Sequence, residues 1–200
     1  MDMKIIGITG GVGCGKSRVL QFIKENYNCQ IILADDVGFE VEKKGEDCYK
    51  QIVETFGTEI LGPDGELDRK KLASIVFADE EKTKQINSII HPAVIARIHE
   101  KEELARLKGE IDFFFIEAAL LIECGFNSYV DEMWYIYSDM SVRKERLKSA
   151  RGYTDELIDK IMSSQLSEAE FRANSDFVVD NSGDINDTCE QIRTHMKGLM

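Results

Sequence analysis

Proline and long apolar runs are scarce in this 200-residue sequence, and both absences narrow the class of protein. With only two prolines and 43% hydrophobic residues, the chain has the composition of a folded domain rather than of a disordered segment. No run approaches the roughly 20 apolar residues that a membrane-spanning helix needs. The first residues, MDMKIIGITGG, contain no basic stretch followed by an apolar core and a cleavage site. The sequence therefore predicts an unexported, cytoplasmic protein that has no membrane partner.

Cysteine is present, but in no pattern that binds zinc or forms a disulfide framework. The cysteines are odd in number, lie far apart and include no C-x-x-C pair. We therefore expect free thiols in a reducing compartment. The five residues are Cys14, Cys29, Cys48, Cys124 and Cys189.

Basic residues are outnumbered by acidic ones. The chain has 25 Lys and Arg against 37 Asp and Glu, which gives a net charge of −12. Such an acidic protein is not expected to bind nucleic acid, and any polyanionic ligand needs a local site that opposes the overall charge. The sequence predicts no particular oligomeric state.

Short buried strands alternate with helical segments along the chain. Five apolar, β-branched or aromatic runs predict strands: MKIIGITG, CQIILAD (ending at Asp35 and Asp36), IDFFFIEAALLIE (a strand followed by a short helix or turn), DEMWYIYSD and SDFVVDNSG. This alternation predicts an α/β fold in which a parallel five-stranded sheet lies between two layers of helices, within one domain over 1–200. Residues 37–108 carry helical patterns only and predict a helical insertion, with Asp68 as an N-cap and Pro92 in the first turn of a long helix.

The glycines of the first strand–helix connection carry the clearest functional signal. Residues 10–17, GGVGCGKS, fit the pattern G-x-x-x-x-G-K-[ST] between a predicted strand and a predicted helix. Glycines let backbone N–H groups surround phosphate oxygens, and the helix N-terminus adds its positive dipole end. The pattern predicts that Lys16 reaches the β- and γ-phosphates of a nucleoside triphosphate and that the Ser17 hydroxyl holds Mg²⁺.

Acidic or amide side chains follow the other predicted strands, at Asp35, Glu117 and Asn181. A carboxylate near the γ-phosphate is what a kinase needs to orient and deprotonate an acceptor hydroxyl, although Asp35 also suits a helix N-cap. The guanine-reading N-K-x-D of switch GTPases is absent. A small-molecule kinase is therefore favoured over a GTPase or a large ATPase.

A basic helix follows the fourth predicted strand, SVRKERLKSAR, and a second helix follows it. Together they span 141–167 and suit a lid over the triphosphate, although a solvated helix face is the alternative. The cations are Arg143, Lys144, Arg146, Lys148 and Arg151.

Six segments, in order and spacing, resemble those of one kinase family. They are GITGGVGCGKS, ADD with Gly45 ten residues beyond, FGTEILGPDGELDRKKLASIVF, IIHPAVI, ALLIE and SSQLSEAEFRANSDFVVDN. On these segments the chain resembles the dephospho-coenzyme A kinase family over nearly its whole length. The resemblance implies a P-loop fold with a helical substrate-binding insertion and a lid. It also implies ATP-dependent phosphorylation of the ribose 3′-hydroxyl of dephospho-coenzyme A.

The resemblance further implies roles for individual residues. Asp35 is similar to the general base of the family. Our own expectation for the mechanism adds Lys16, which holds ATP, and Arg146, which closes over the transferring group with Arg143 or Arg151. The ATP side comprises Gly11, Val12, Gly13, Cys14, Gly15, Lys16, Ser17, Arg18 and Asn181, and the acceptor side comprises Asp35, Arg69, His91, Glu117 and Leu120.

Alternatives stay open for several of these residues. Arg69 also suits an ion pair with Asp68 or Glu66, and His91 also suits helix capping or packing. Cys14 suits a small packing residue or an oxidation-sensitive thiol, since a helix N-terminus lowers a thiol pKa. The family usually has an arginine where this chain has Ala150, which leaves Arg143, Arg146 and Arg151 as candidate lid arginines.

Overall fold

A computed structural model describes residues 2–76 and 79–200. The chain divides into two compact units, one of Met1–Ile31 with Gly109–Met200 and one of Ile32–Lys108. Five strands form one sheet in the order β2-β3-β1-β4-β5. They are β1 (Lys4–Thr9), β2 (Cys29–Leu33), β3 (Phe113–Glu117), β4 (Glu132–Tyr137) and β5 (Phe177–Asp180). The predicted α/β fold and parallel five-stranded sheet are confirmed, because β1 pairs in parallel with β3 and β4, and β4 pairs in parallel with β5.

The helices within the described residues connect these strands. They are α1 (Lys16–Asn26), α2 (Ala34–Val41), α3 (Asp47–Phe56), α4 (Arg69–Val76), α5 (Glu80–Lys108), α6 (Met140–Arg151), α7 (Asp155–Ser163), α8 (Glu168–Ala173) and α9 (Ile185–Met196). Within the described ranges, no helix combines the length and the apolar character needed to cross a bilayer.

The central strand β1 determines where the site lies. Its register places Ile6 opposite Phe115 of β3 and Ile8 opposite Trp134 of β4, and all four side chains are fully buried. Runs of β-branched and aromatic residues are typical of parallel strands covered on both faces. Since β1 lies between β3 and β4, the connections that leave these strands diverge at its carboxyl end. Open parallel sheets bind ligands at this kind of crevice.

The second unit is helical, with α2 and α3 packed on the long helix α5. Asp68 caps α4 as predicted, since its Oδ1 atom accepts hydrogen bonds from the backbone N–H groups of Lys70 and Lys71. Leu61 and Leu67 form an isolated antiparallel bridge. Phe77, the last residue of the segment FGTEILGPDGELDRKKLASIVF, lies outside the described residues.

Two predictions about element ends were wrong. Pro92 lies in the interior of α5 rather than in its first turn, because α5 begins at Glu80. The Asp79 carboxylate explains the earlier start, because it accepts a hydrogen bond from the backbone N–H of Glu81 at 2.9 Å.

Asp35 does not end a strand, since β2 stops at Leu33. It does not cap α2 either, because the N-cap of α2 is Leu33, without a side-chain hydrogen bond. Instead Asp35 and Asp36 occupy the first turn of α2, where the helix dipole favours acids.

Candidate active site

The connection from β1 to α1 is a glycine loop whose backbone is left-handed at several points. Gly13 and Gly15 have φ angles of +79° and +88°, and the N–H of Cys14 donates to the Gly11 carbonyl at 3.2 Å in a tight turn. Gly15 is the N-cap of α1, so the N–H groups of Lys16 and Ser17 precede the first helical hydrogen bond, which Arg18 donates to the Gly15 carbonyl at 3.0 Å. The loop therefore presents backbone donors and a positive helix end at the carboxyl edge of the sheet, as an anion site requires.

Lys16 lies across this loop. Its Nζ atom donates to the Gly10 carbonyl at 2.7 Å and lies 3.5 Å from Oε1 of Glu117, at the end of β3. Both side chains are 16% exposed. The ammonium group is thus held at the mouth of the loop, with Glu117 as a nearby counter-charge.

Three side chains that lie outside the loop donate hydrogen bonds to the Cys14 carbonyl. It accepts hydrogen bonds from Asn181 Nδ2 at 2.8 Å, from Ser138 Oγ at 3.1 Å and from Arg146 at 3.4 Å. Arg146 also donates to the Asn181 carbonyl at 2.8 Å. The Asn181 amide is 1% exposed, and its Oδ1 atom accepts from Thr188 at 3.1 Å. The peptide group between Cys14 and Gly15 is therefore fixed in orientation.

A second set of contacts holds the backbone N–H and carbonyl of Val12. Arg143 Nε donates to the Val12 carbonyl at 2.8 Å, and Gln165 Oε1 accepts the Val12 N–H at 3.0 Å. Arg143 also donates to the same Gln165 oxygen at 3.1 Å. Of the three candidate lid arginines, Arg143 and Arg146 thus contact the loop, whereas the guanidinium of Arg151 lies 5.8 Å from the ring of Tyr153.

Cys14 is buried within the loop and is 1% exposed. Burial raises the pKa of its thiol above the ordinary value, although Lys16 and Arg143 act in the opposite direction. The protonated thiol is the less reactive form, so the structure favours the packing role of Cys14 over the oxidation-sensitive one.

Three further residues predicted for the site lie in exposed positions of the same unit. Ser17 and Arg18 are exposed on the first turn of α1, and Leu120 is 47% exposed in the turn after β3. The structure thus gathers Lys16, Cys14, Arg146 and Asn181 around one loop and leaves the hydroxyl of Ser17 accessible beside them.

Comparisons with known proteins point to one kinase family. A family model described as dephospho-CoA kinase matches residues 4–187. A dephospho-CoA kinase of Aquifex aeolicus is 38% identical over 191 residues, which cover 96% of this chain and 95% of that protein.

The chain belongs to the dephospho-CoA kinase family. Kinases of this family phosphorylate dephospho-CoA with ATP to make CoA.

Solved structures share the fold of this family member. A protein of Thermus thermophilus superposes with a TM-score of 0.82 at 28% identity, with 100% of both chains covered. A dephospho-CoA kinase of Campylobacter jejuni superposes with a TM-score of 0.72 at 23% identity, with 98% of both chains covered. The second likeness supports the fold alone.

The remaining predicted residues of this dephospho-CoA kinase family member lie in its helical unit. Asp35 is exposed on the first turn of α2, and His91 is half-buried on α5. Arg69 begins α4, where it pairs with neither Asp68 nor Glu66. Its NH2 group lies 3.3 Å from Oε2 of Glu42, and its guanidinium lies 3.6 Å from the centroid of the Phe39 ring.

Sequence reasoning missed several residues that support these positions, namely Ser138, Thr188, Phe39 and Glu42. Ser138 follows β4 directly, so its place at the carboxyl edge of the sheet was a usable signal. Thr188, Phe39 and Glu42 act through contacts that depend on tertiary structure, for which the sequence carries no comparable signal.

Proposed function

We propose that this chain transfers the γ-phosphoryl group of ATP to the ribose 3′-hydroxyl of dephospho-CoA, giving CoA and ADP. The observation that carries the proposal is the glycine loop with Lys16 fixed at its mouth, in a member of the dephospho-CoA kinase family. The loop supplies the local positive site that an acidic protein needs to bind a triphosphate.

The phosphates of ATP bind to the loop from Gly11 to Arg18 in this proposal. Backbone N–H groups and Lys16 neutralise the terminal phosphates, since phosphoryl transfer depends chiefly on positioning and charge stabilisation. Asn181 contributes by fixing the loop through the Cys14 carbonyl. The predicted contact of Asn181 with the adenine side of ATP stays a prediction.

The donor set fits Mg²⁺ as a partner of ATP. Ser17 offers an exposed hydroxyl, and the part of the chain that the structure describes contains no cluster of three or more His, Cys, Asp or Glu residues able to hold a metal. Mg²⁺ keeps several waters and takes few protein ligands beside the phosphate oxygens, so the Ser17 hydroxyl would hold it together with the phosphates of ATP. When bound, the ion neutralises charge on the β- and γ-oxygens.

Asp35 orients the 3′-hydroxyl and accepts its proton in this mechanism. It follows the end of β2 by two residues, and its carboxylate is exposed on the first turn of α2. We also propose that Arg69, His91, Glu117 and Leu120 contribute to the acceptor side.

Residues 141–167 act as the lid. Arg143 and Arg146 link this segment to the loop backbone, so its movement is coupled to the ATP site. Closure of this segment over the transferring group excludes water, which would otherwise hydrolyse ATP. The free cysteines suit the reducing cytoplasm, where we place the reaction.

One assay tests the proposed function. ADP release is followed in a coupled assay with Mg²⁺-ATP, with and without dephospho-CoA, and CoA is identified as the product. We expect release that depends on dephospho-CoA and is lost in Lys16→Ala. ADP release only with another alcohol would indicate a different small-molecule kinase, and ATP binding without transfer would indicate a regulatory module.

A further inference from the structure

The proposed lid segment, residues 141–167, contacts the phosphate loop near both of its ends. Near its start, Arg143 Nε of α6 donates to the Val12 carbonyl at 2.8 Å. Near its end, Gln165, which follows α7 by two residues, accepts the Val12 N–H on its Oε1 atom at 3.0 Å. The N–H and the carbonyl of one loop residue are thus held by opposite ends of the segment, so both ends must be seated for Val12 to keep its two partners.

Two donors meet on the side-chain oxygen of Gln165. Besides the Val12 N–H, this oxygen accepts a hydrogen bond from the NH2 group of Arg143 at 3.1 Å, and a carbonyl oxygen has two lone pairs for two such donors. The guanidinium of Arg143 lies directly over the loop, because a Cβ atom added to Gly11 would collide with it. The Gln165 oxygen therefore fixes a cation against the loop at the same time as it holds the loop backbone.

The chain that follows Gln165 is firmly held on the sheet. Ser167 and Glu170 form a capping box at the start of α8, in which the Glu170 carboxylate accepts the Ser167 N–H at 2.8 Å and the Ser167 hydroxyl accepts the Glu170 N–H at 3.3 Å. Phe171 of α8 is 2% exposed and stacks on Tyr135 of β4, with 4.7 Å between the ring centroids. Supporting contacts of this kind hold a functional side chain in its working geometry. They anchor Gln165 to the unit that carries the loop.

We propose that Gln165 is a positioning residue that seats the lid segment on the phosphate loop and thereby keeps water from the γ-phosphate. The inference rests on the proposed function, because it takes residues 10–17 as the ATP loop and residues 141–167 as the lid. Without the Gln165 oxygen, the Val12 N–H must turn to water for an acceptor, and Arg143 loses the acceptor of its NH2 group. The end of the segment then loses its contacts with the loop, and water gains access to the site.

Water and the ribose 3′-hydroxyl compete for the same phosphorus atom. In either reaction the attacking oxygen forms a bond to phosphorus and loses its proton, and the bond between that phosphorus and the ADP oxygen breaks. Attack by the hydroxyl gives CoA and ADP, whereas attack by water gives inorganic phosphate and ADP. The ratio of the two rates therefore measures how well the lid excludes water. A variant that merely unfolds more easily lowers both rates together and leaves this ratio unchanged.

The test measures CoA formation at saturating Mg²⁺-ATP and dephospho-CoA, and release of inorganic phosphate with dephospho-CoA left out. Gln165→Leu has a similar volume but no acceptor. We expect it to lower the ratio of transfer to hydrolysis by about 10- to 100-fold, the range for leaving a hydrogen-bonding group without its partner. Gln165→Glu keeps an oxygen for both donors, so we expect its ratio to stay within about twofold of the wild type. Gln165→Asn is one methylene too short to reach Val12 and lowers the ratio as Gln165→Leu does, which keeps the test decisive if the leucine variant does not fold.

Ser164→Ala is the control at the neighbouring position. The Ser164 hydroxyl donates to the Ile161 carbonyl at 2.9 Å, so this variant removes a hydrogen bond that stays within the lid segment. We expect its ratio to stay within about twofold of the wild type. A wild type that forms no CoA refutes the proposed function itself. With an active wild type, the inference alone is refuted if Gln165→Leu and Gln165→Asn keep the wild-type ratio. It is refuted as well if Gln165→Glu or Ser164→Ala lowers the ratio to the same extent as Gln165→Leu.

Discussion

Alanine at Gly15 tests whether the phosphate loop is fixed by the side chains around it. Gly15 has a φ angle of +88°, a left-handed conformation that costs an alanine about 1–2 kcal/mol. A Cβ atom there collides with the Nδ2 atom of Asn181 and lies 3.3 Å from Arg146. The buried Asn181 amide must then leave the Cys14 carbonyl, which costs about a further 1–3 kcal/mol. We expect Gly15→Ala to lower the free energy of unfolding by about 2–5 kcal/mol in total.

The matched control is Gly109→Ala. Gly109 also has a left-handed φ angle, +63°, but a Cβ atom added there meets no described atom within 4 Å. This variant therefore carries the backbone cost alone, about 1–2 kcal/mol. The difference between the two variants isolates the collision with Asn181.

Urea unfolding gives the stabilities, and calorimetric titration with ATP gives the dissociation constants. We expect Gly15→Ala to weaken ATP binding by at least about tenfold, which corresponds to about 1.4 kcal/mol, and Gly109→Ala to leave it unchanged. The reasoning is refuted if the two variants unfold at the same urea concentration and bind ATP equally well.

Three further predictions concern other residues of the site. Asp35→Asn lowers kcat by about 10²–10⁴ with little change in KM for ATP, as expected for a general base, and steady-state kinetics with unaltered kcat would exclude that role. Arg146→Ala lowers the free energy of unfolding by about 1.5–3 kcal/mol and weakens ATP binding, because it loses charged hydrogen bonds to two backbone carbonyls. Equal effects in Arg151→Ala would contradict the role of Arg146 in holding the loop. Because burial raises the pKa of the Cys14 thiol, we expect Cys14 to stay reduced in mild peroxide and ATP binding to persist. Mass spectrometry measures oxidation of Cys14. Oxidation there, together with a loss of ATP binding that Cys14→Ser prevents, would contradict this prediction.

The sheet and the phosphate loop were predictable because their signals are local. Strand β3 reads FFFIE, a short run of aromatic and β-branched residues, and the loop glycines meet a backbone requirement that few other residues satisfy. Helix ends were less predictable, because competing signals are close in strength. Pro92 suits the first turn of a helix, yet α5 begins twelve residues before it, at Glu80, where the Asp79 carboxylate accepts a backbone N–H.

Partners of individual side chains were the least predictable. From the sequence, Asp68 and Glu66 were the expected ion-pair partners of Arg69. In the folded chain Arg69 lies beside Glu42, which is 27 positions away. Asp68 is engaged as the cap of α4 through the N–H groups of Lys70 and Lys71. Such choices depend on tertiary packing, which sequence spacing does not record.

The geometry of a peptide group explains why so many side chains surround the loop from outside. The N–H and C=O of a trans peptide point in opposite directions, so aiming N–H groups at a phosphate turns the neighbouring carbonyls away from it. A carbonyl turned toward the protein must find a donor there, because an unpaired buried carbonyl is costly. Asn181, Ser138 and Arg146 supply donors to Cys14, and Arg143 supplies one to Val12. We therefore expect residues that need no direct contact with ATP to set how well the loop binds it, and the two arginines add positive charge beside the loop of an acidic chain.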